Sequence, residues 1–494
     1  MNLHPSRRDI IQTGAAAGAL GFLSRIPLLG KEDVQVDPSQ VQFRPEIEPL
    51  VRLLEETPRE RLLEEVASRI KKGTTYREIL SSLLLAGVRN IQPRPVGFKF
   101  HAVLVVNSAH LASLRSPDSD RWLPIFWALD YFKSSQARDI KEGDWTMTAV
   151  KEREVPSASK ARDLFREGLN QWDEEKVDAA TAGLARTVGA QETFDLFARF
   201  GARDFRDIGH KAIYVANSWR TLQTVGWRHS EPVLRSLGYA LLQHHGSNPA
   251  QSDHEADRPG RLNEKLIHEI REDWQRGELK KEATSEMLDV LRGGTWEAAS
   301  HKVVELLNKG SSPQSIWDGL FQHASEMLMR LPGIISLHAS TTTNALHYAH
   351  QHTSNDETRR FLLLQNAAFL TMFRERGGIK DGIKVDQFEP ADGTPSIDEI
   401  FADVTDNKEK AARKALAYLK SAKDPKHFMR EAQRLIYLKG NGSHDYKFSS
   451  AILEDYHHIS PKMRDRFLAA SVFWLQGSGK KDTDLVARTR AAIS

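Results

Sequence analysis

Residues 101–110 read HAVLVVNSAH, and residues 338–347 read HASTTTNALH. Both segments follow one pattern, a histidine, five residues, an asparagine, two residues and a second histidine. The matched pairs are His101 and His338, Asn107 and Asn344, and His110 and His347, all offset by 237 positions. A constant offset between similar segments is the signature of an internal repeat. The pattern therefore predicts that a histidine-bearing unit occurs twice in this chain.

Further matches extend the repeat along the chain. Residues 73–79 resemble residues 310–316 at the same offset, and His210 matches His444 at an offset of 234. The slow drift of the offset predicts a tandem duplication, with one copy at residues 59–285 and the other at 286–494. Apolar residues recur at spacings of three and four between glycines and prolines, which predicts helices. We therefore predict an all-α, internally duplicated helical-repeat domain, toroid-like or bundle-like, with a central histidine-lined cavity.

The composition excludes several classes of protein and several kinds of metal site. The 494 residues are 40% hydrophobic and 27% charged, values typical of a globular protein, and the formal net charge is only +3. Without a basic block, the sequence predicts no nucleic-acid partner. The chain contains no cysteine, which excludes disulfides and thiolate metal sites. Any transition-metal site must therefore use imidazole and carboxylate ligands, and 19 histidines can supply the imidazoles.

The first thirty residues have the pattern of an export signal. Arg7 and Arg8 precede a short segment that is rich in glycine and alanine, as in twin-arginine signal peptides. We predict a signal peptide at residues 1–30, a linker at residues 31–58, and a periplasmic or otherwise extracytoplasmic location reached through the twin-arginine translocase. The apolar segment is too short for a stable membrane span, so none is predicted in the mature protein.

The repeated histidines are the candidate metal ligands. Neutral imidazole binds iron, copper, nickel and zinc, and a duplicated chain would supply ligands in pairs. The predicted ligands are His101, His210, His338, His444, His110 and His347. The alternative is that buried histidines only satisfy hydrogen bonds at helix starts and were copied together with the rest of the unit.

Other residues are predicted to support this centre. His210 and His444 are also candidate acid–base groups, and Asp204 and Asp207, the latter three residues before His210, are candidates for a carboxylate partner or a ligand. A weaker correspondence between residues 228–232 and 457–461 adds His229 and His458 as cofactor-binding candidates. Asn107 and Asn344 are predicted to orient the imidazole rings.

Two segments resemble the repeated histidine motifs of the questin oxidase-like proteins. They are residues 209–213, GHKAI, and residues 337–346, LHASTTTNAL. The resemblance marks His101, His210 and His338, whereas His444 is supported by the internal repeat. It implies an all-helical protein associated with Baeyer–Villiger-type oxidation of aromatic polyketide rings.

We accordingly predict an exported, metal-dependent oxidoreductase or oxygenase. Its substrate would be a small organic molecule, with aromatic compounds included, and its cofactor a transition metal such as iron or copper. Two alternatives belong to other classes of protein. One is a non-catalytic helical protein that binds a ligand or partner and has structural histidines. The other is a carboxylate-based hydrolase in a helical toroid.

Overall fold

The fold is all-α, in a computed structural model that describes residues 36–242, 248, 253–421, 424–440 and 442–494. These residues form no β-strand. The α-helices are α1 Glu48–Glu56, α2 Arg59–Lys71, α3 Tyr76–Asn90, α4 His101–Leu104, α5 Val106–Arg115, α6 Leu123–Glu142, α7 Ala158–Gln171, α8 Glu174–Thr187, α9 Ala190–Gly201, α10 His210–Val225, α11 Ser230–Leu241, α12 Arg258–Leu266, α13 Lys281–Gly293, α14 Trp296–Asn308, α15 Pro313–Arg330, α16 Ile334–His352, α17 Asp356–Gly377, α18 Ile397–Asp406, α19 Lys408–Ser421, α20 Lys426–Lys439, α21 Ser443–His458, α22 Arg464–Ala470 and α23 Asp484–Ile493.

Four helical segments form the centre of the fold. Helix α10 packs against α16, α16 against α21, α21 against α5, and α5 against α10, which closes a ring. The short helix α4 precedes α5 and also contacts α10. Other helices pack around this central bundle, for example α15 and α17 on α16, and α20 on α21.

The central helices run in the same direction. The hydroxyl of Ser108 lies 2.8 Å from that of Ser450, and these serines follow His101 and His444 by seven and six residues. Further along, Arg220 forms an ion pair with Glu454, and each of them lies ten residues beyond its own histidine. Side chains that lie the same number of residues beyond their own histidines can contact each other in this way only when the helices are parallel. The parallel arrangement brings the amino-terminal ends of the helices, and their histidines, to one end of the bundle.

Some predicted boundaries differ from the helices. The twin-arginine segment lies outside the described residues. Within the segment predicted as a linker, helix α1 buries Val51 and Leu54 completely, so this part belongs to the packed body. The predicted division at residue 285 falls inside α13. Within the described part of the chain, no helix combines the length and the apolar character that crossing a membrane requires.

Candidate metal centre

Four histidine rings meet at the amino-terminal end of the central bundle. Each comes from a different helical segment: His101 begins α4, His210 begins α10, His338 lies in the first turns of α16, and His444 is the second residue of α21. The Nε2 atom of His210 lies 3.1 Å from Nε2 of His101 and 2.9 Å from Nε2 of His338. The ring of His444 lies 4.6 Å from that of His101 and 5.1 Å from that of His338, between centroids.

Backbone carbonyls hold three of these rings in place. Nδ1 of His101 lies 2.8 Å from the carbonyl oxygen of Phe98, Nδ1 of His210 lies 2.7 Å from that of Asp207, and Nδ1 of His338 lies 2.7 Å from that of Ile334. A carbonyl oxygen can only accept a hydrogen bond, so each Nδ1 carries the proton. Each Nε2 then presents a lone pair to the other rings, which is the tautomer that a metal ligand needs.

Burial keeps these rings neutral. His101, His210 and His338 are at most 6% exposed. Burial, followed by the charge of Lys447, lowers the pKa of His210 to about 3 and that of His444 to about 3. The pKa values of His101 and His338 are also far below the usual value, mainly because of burial. Neutral imidazoles with convergent lone pairs are able to hold a metal ion, and His101, His210 and His338 form a buried group of this kind.

Glycines allow the backbone to approach these rings closely. Gly97 has φ +121°, and a Cβ atom there would lie 3.2 Å from Nε2 of His210. Gly209 has φ +78°, and a Cβ atom there would overlap Oγ1 of Thr342 on α16. A larger residue would therefore face backbone strain at either position, together with a steric contact with His210 from position 97 and with Thr342 from position 209.

Lys447 was not predicted from the sequence. It is three residues after His444 on α21, and its charge acts on all four histidines of the cluster. Among the described residues, its Nζ atom has no hydrogen-bond partner although the side chain is only 2% exposed. Burial lowers the pKa of this amine to about 7. The Nε2 atom of His444 is likewise buried without a partner in the described structure. These two nitrogens, on side chains three residues apart on α21, are available to a further ligand.

The other predicted site residues lie outside the cluster. The Nδ1 atom of His110 forms a 2.9 Å hydrogen bond with the hydroxyl of Tyr76. His347 packs on Trp317 and on His458, with 4.7 and 4.8 Å between the ring centroids. His229 is buried beside Arg228 at the start of α11. Asp207 contacts His210 through its backbone carbonyl.

Asn344 belongs to a second polar layer, deeper in the bundle. Its Nδ2 donates to Glu454 Oε2 and to Asp455 Oδ1, both at 2.8 Å, and its Oδ1 accepts from Arg220 at 3.3 Å. Burial and the charge of Glu454 raise the pKa of Asp455 well above its usual value. Asn107 is buried at a similar depth on α5. The rings of His101, His210 and His338 are therefore oriented by carbonyls and not by Asn344.

The predicted central cavity is not confirmed. The histidine rings are in contact with one another, and a groove of about 450 Å³ lies elsewhere, beside Arg199 and Glu264 on the outer surface. The chain was compared with protein-family models, with curated proteins and with solved structures, and no match was found in any of the three comparisons.

Proposed function

We propose that this protein is a metal-dependent oxidoreductase or oxygenase that acts on a small organic molecule. The proposal is carried by one observation: the Nε2 lone pairs of His101, His210 and His338 converge while their Nδ1 protons are held by backbone carbonyls. His444 would serve as a fourth ligand or as an acid–base group, because its Nε2 is buried and unpartnered in the described structure.

The nitrogen spacing is compatible with a metal held by imidazole ligands. Ligands at about 2.05 Å from a metal are separated by about 2.9 Å when they subtend a right angle, and by about 3.3 Å in a tetrahedron. The observed separations of 3.1 and 2.9 Å fall within this range. Iron and copper both bind imidazole and, with three protein ligands, leave positions open for a substrate. When bound, such a metal would supply one-electron chemistry and Lewis acidity.

The electrostatics of the site favour an anionic ligand at the open positions. Four helical segments direct their amino-terminal ends toward the cluster, and each end carries a partial positive charge. The buried Lys447 adds to this potential. A divalent cation among neutral imidazoles would raise the positive charge further, so an ionised substrate or a hydroxide would be attracted.

The questin oxidase-like resemblance gives the proposed reaction class, oxidation of an aromatic ring. It rests on the motifs that contain His210 and His338.

Export by the twin-arginine route is also a proposal. The segment that resembles the signal lies outside the described residues, so export is inferred from the sequence. The competing function is a non-catalytic binding protein with structural histidines, for which the cluster would bind no metal.

Elemental analysis tests the proposal directly. Protein expressed with iron and copper supplied is expected to retain about one equivalent of metal, and His210→Ala and His338→Ala are expected to lose it. The matched control is His323→Phe, because His323 is completely buried on α15 but lies outside the cluster. Metal content below about a tenth of an equivalent in the unaltered protein would contradict the proposal. Oxygen consumption by the loaded protein with a panel of hydroxylated aromatic compounds then tests the reaction class.

A further inference from the structure

Two buried nitrogen atoms on one face of α21 have no hydrogen-bond partner in the described part of the chain. They are Nζ of Lys447 and Nε2 of His444, three residues earlier. Residues three apart lie on the same face of a helix. A buried polar group gives up its hydrogen bonds to water, so unsatisfied nitrogens of this kind are uncommon in folded proteins. The two side chains therefore lack a group that could bond to both.

Lys447 differs in this respect from the other buried lysines of the described chain. Each of the other three has a carboxylate or a backbone carbonyl at hydrogen-bond distance from its amine: Lys99 lies 2.7 Å from Asp139, Lys211 lies 2.8 Å from Asp204, and Lys133 lies 2.7 Å from the carbonyl oxygen of Glu55. The amines of these three lysines can remain charged, whereas the surroundings of Lys447 contain no acceptor for an ammonium group.

The surroundings of Lys447 favour an uncharged amine and also favour an anion formed from it. Burying an ammonium group without an acceptor is unfavourable, and burial lowers the pKa of Lys447 to about 7. The amino-terminal ends of α10, α16 and α21 converge here and favour negative charge. The ring of His444 is partly exposed, so the two nitrogens lie close to solvent.

We propose that Lys447 is a carboxylation site, at which carbon dioxide forms a carbamate on Nζ. The nitrogen lone pair forms an N–C bond to carbon dioxide, one C–O π bond breaks to leave a negative oxygen, and the nitrogen loses one proton to water. The product has two acceptor oxygens, and one of them can accept a hydrogen bond from Nε2 of His444 when that nitrogen carries the ring proton. Carbon dioxide enters a packed interior more easily than a free anion does, because it is small and uncharged until the bond forms.

A carbamate would also change the donor set of the metal centre. It would add an anionic oxygen to the neutral imidazoles, and iron binds such mixed sets of imidazole and carboxylate. This consequence, unlike the carbamate itself, rests on the proposed function. Bicarbonate supplies carbon dioxide, so its addition should tighten Fe(II) binding several-fold in the unaltered protein and leave the binding by Lys447→Met unchanged.

Carbon-13 nuclear magnetic resonance tests the modification on metal-free protein. After incubation with labelled bicarbonate at about pH 8, a carbamate resonance is expected that is separate from those of bicarbonate and dissolved carbon dioxide. The α-amino group is also partly neutral at this pH and forms a carbamate of its own. The decisive signal is therefore the one that Lys447→Met loses. Lys133→Met is the matched control and should keep it, because Lys133 is also buried but donates to carbonyls.

Alkylation with triethyloxonium fixes the carbamate as an ester, which peptide mass spectrometry can locate. The ester is expected on Lys447, with a several-fold lower yield in His444→Phe. Lys447→Met should fold, because it removes an unpaired buried amine and keeps an unbranched side chain.

The outcomes separate this inference from the proposed function. Equal resonances in the unaltered protein and in Lys447→Met, or an ester found only on the α-amino group, would overturn the carbamate. If Fe(II) binds at one equivalent and no carbamate forms on Lys447, the carboxylation is wrong and the proposed function stands. If the carbamate forms and no metal binds, the proposed function fails and the carboxylation stands.

Discussion

The Nε2 atoms of His210 and His338 lie 2.9 Å apart, although neither nitrogen has a proton to share. The protons are on the Nδ1 atoms, which donate hydrogen bonds to the backbone carbonyls of Asp207 and Ile334. Two lone pairs in contact repel each other in a buried site, whereas a cation between them would convert the repulsion into two bonds. The fold therefore holds these nitrogens in an arrangement that a metal ion would stabilise.

Metal binding is expected to stabilise the folded protein. A ligand that binds only the folded state at a thousandfold excess over its dissociation constant adds about 4 kcal/mol. The melting temperature should rise when Fe(II) or Cu(II) is added to chelator-treated protein. His210→Ala should abolish the rise and His323→Phe should preserve it. An equal rise in both variants would place the metal elsewhere.

Substitution of Gly97 should weaken metal binding through His210. Gly97→Ala introduces a Cβ atom 3.2 Å from His210 Nε2, at a backbone φ of +121°. Gly143→Ala is the matched control, since Gly143 has φ +137° but has no atom within 4 Å of the added Cβ. Both variants should lose about 1–3 kcal/mol of stability from the strained backbone. A metal titration should show lower affinity for Gly97→Ala alone, and equal affinities would contradict the close contact.

Metal-free protein should lose stability as the pH falls below neutral. Unfolded histidine titrates near pH 6.5, whereas burial lowers the pKa of His210 and of His444 to about 3 in the folded state. Between these values the unfolded chain binds more protons, so the free energy of unfolding falls from about pH 6.5 toward about pH 3. Each group contributes up to about 1.4 kcal/mol per pH unit in that window.

A histidine replacement series checks this pH dependence. The double variant His210→Asn/His444→Asn should show a shallower decrease of melting temperature between pH 7 and pH 4.5. His301→Asn removes an exposed histidine and should behave like the unaltered protein. If the double variant keeps the full slope, the acid sensitivity arises from other groups.

Removing Arg220 should be costly, because Glu454 would lose the cation that pairs with it. Burial alone would raise the pKa of Glu454, but Arg220 and Asn344 bring it below the usual value. Breaking a fully buried pair on one side typically costs roughly 3–5 kcal/mol, and the cost here should lie below that range because the Glu454 side chain is 29% exposed. Urea unfolding should show a loss of about 1–3 kcal/mol for Arg220→Ala and a smaller one for the double variant Arg220→Met/Glu454→Leu. Arg434→Ala, which opens an exposed pair with Glu431, should cost less than about 1 kcal/mol.

The sequence allowed the helical class and the histidine positions to be predicted, because both depend on periodic or repeated residues. The spacing of apolar residues predicted an all-α fold, which is confirmed. The matching of His101 with His338 and of His210 with His444 selected the four rings that the structure brings together. Buried helices on closely packed neighbours need this regular spacing, so the signal is strong.

Other parts of the site had weaker signals. Lys447 corresponds to Ile213 in the predicted first copy, so the predicted repeat gave no reason to select it, although it follows His444 by one helical turn. Arg220 and Glu454 occupy matching positions at the offset of 234, and their opposite charges were an available signal that was missed. The orienting groups of the rings are backbone carbonyls, and side-chain patterns contain no information about them.

The order of the ligands along the chain also governs when the centre can exist. His101 and His210 emerge early in synthesis, but His338 completes the buried trio only after two-thirds of the 494 residues have been made, and His444 follows near the end. A nascent amino-terminal half on the ribosome thus offers two imidazoles without their partners. An ion held by this trio would have to enter after the later helices have folded onto the earlier ones, so the compartment in which folding ends would determine which metals are available to the site.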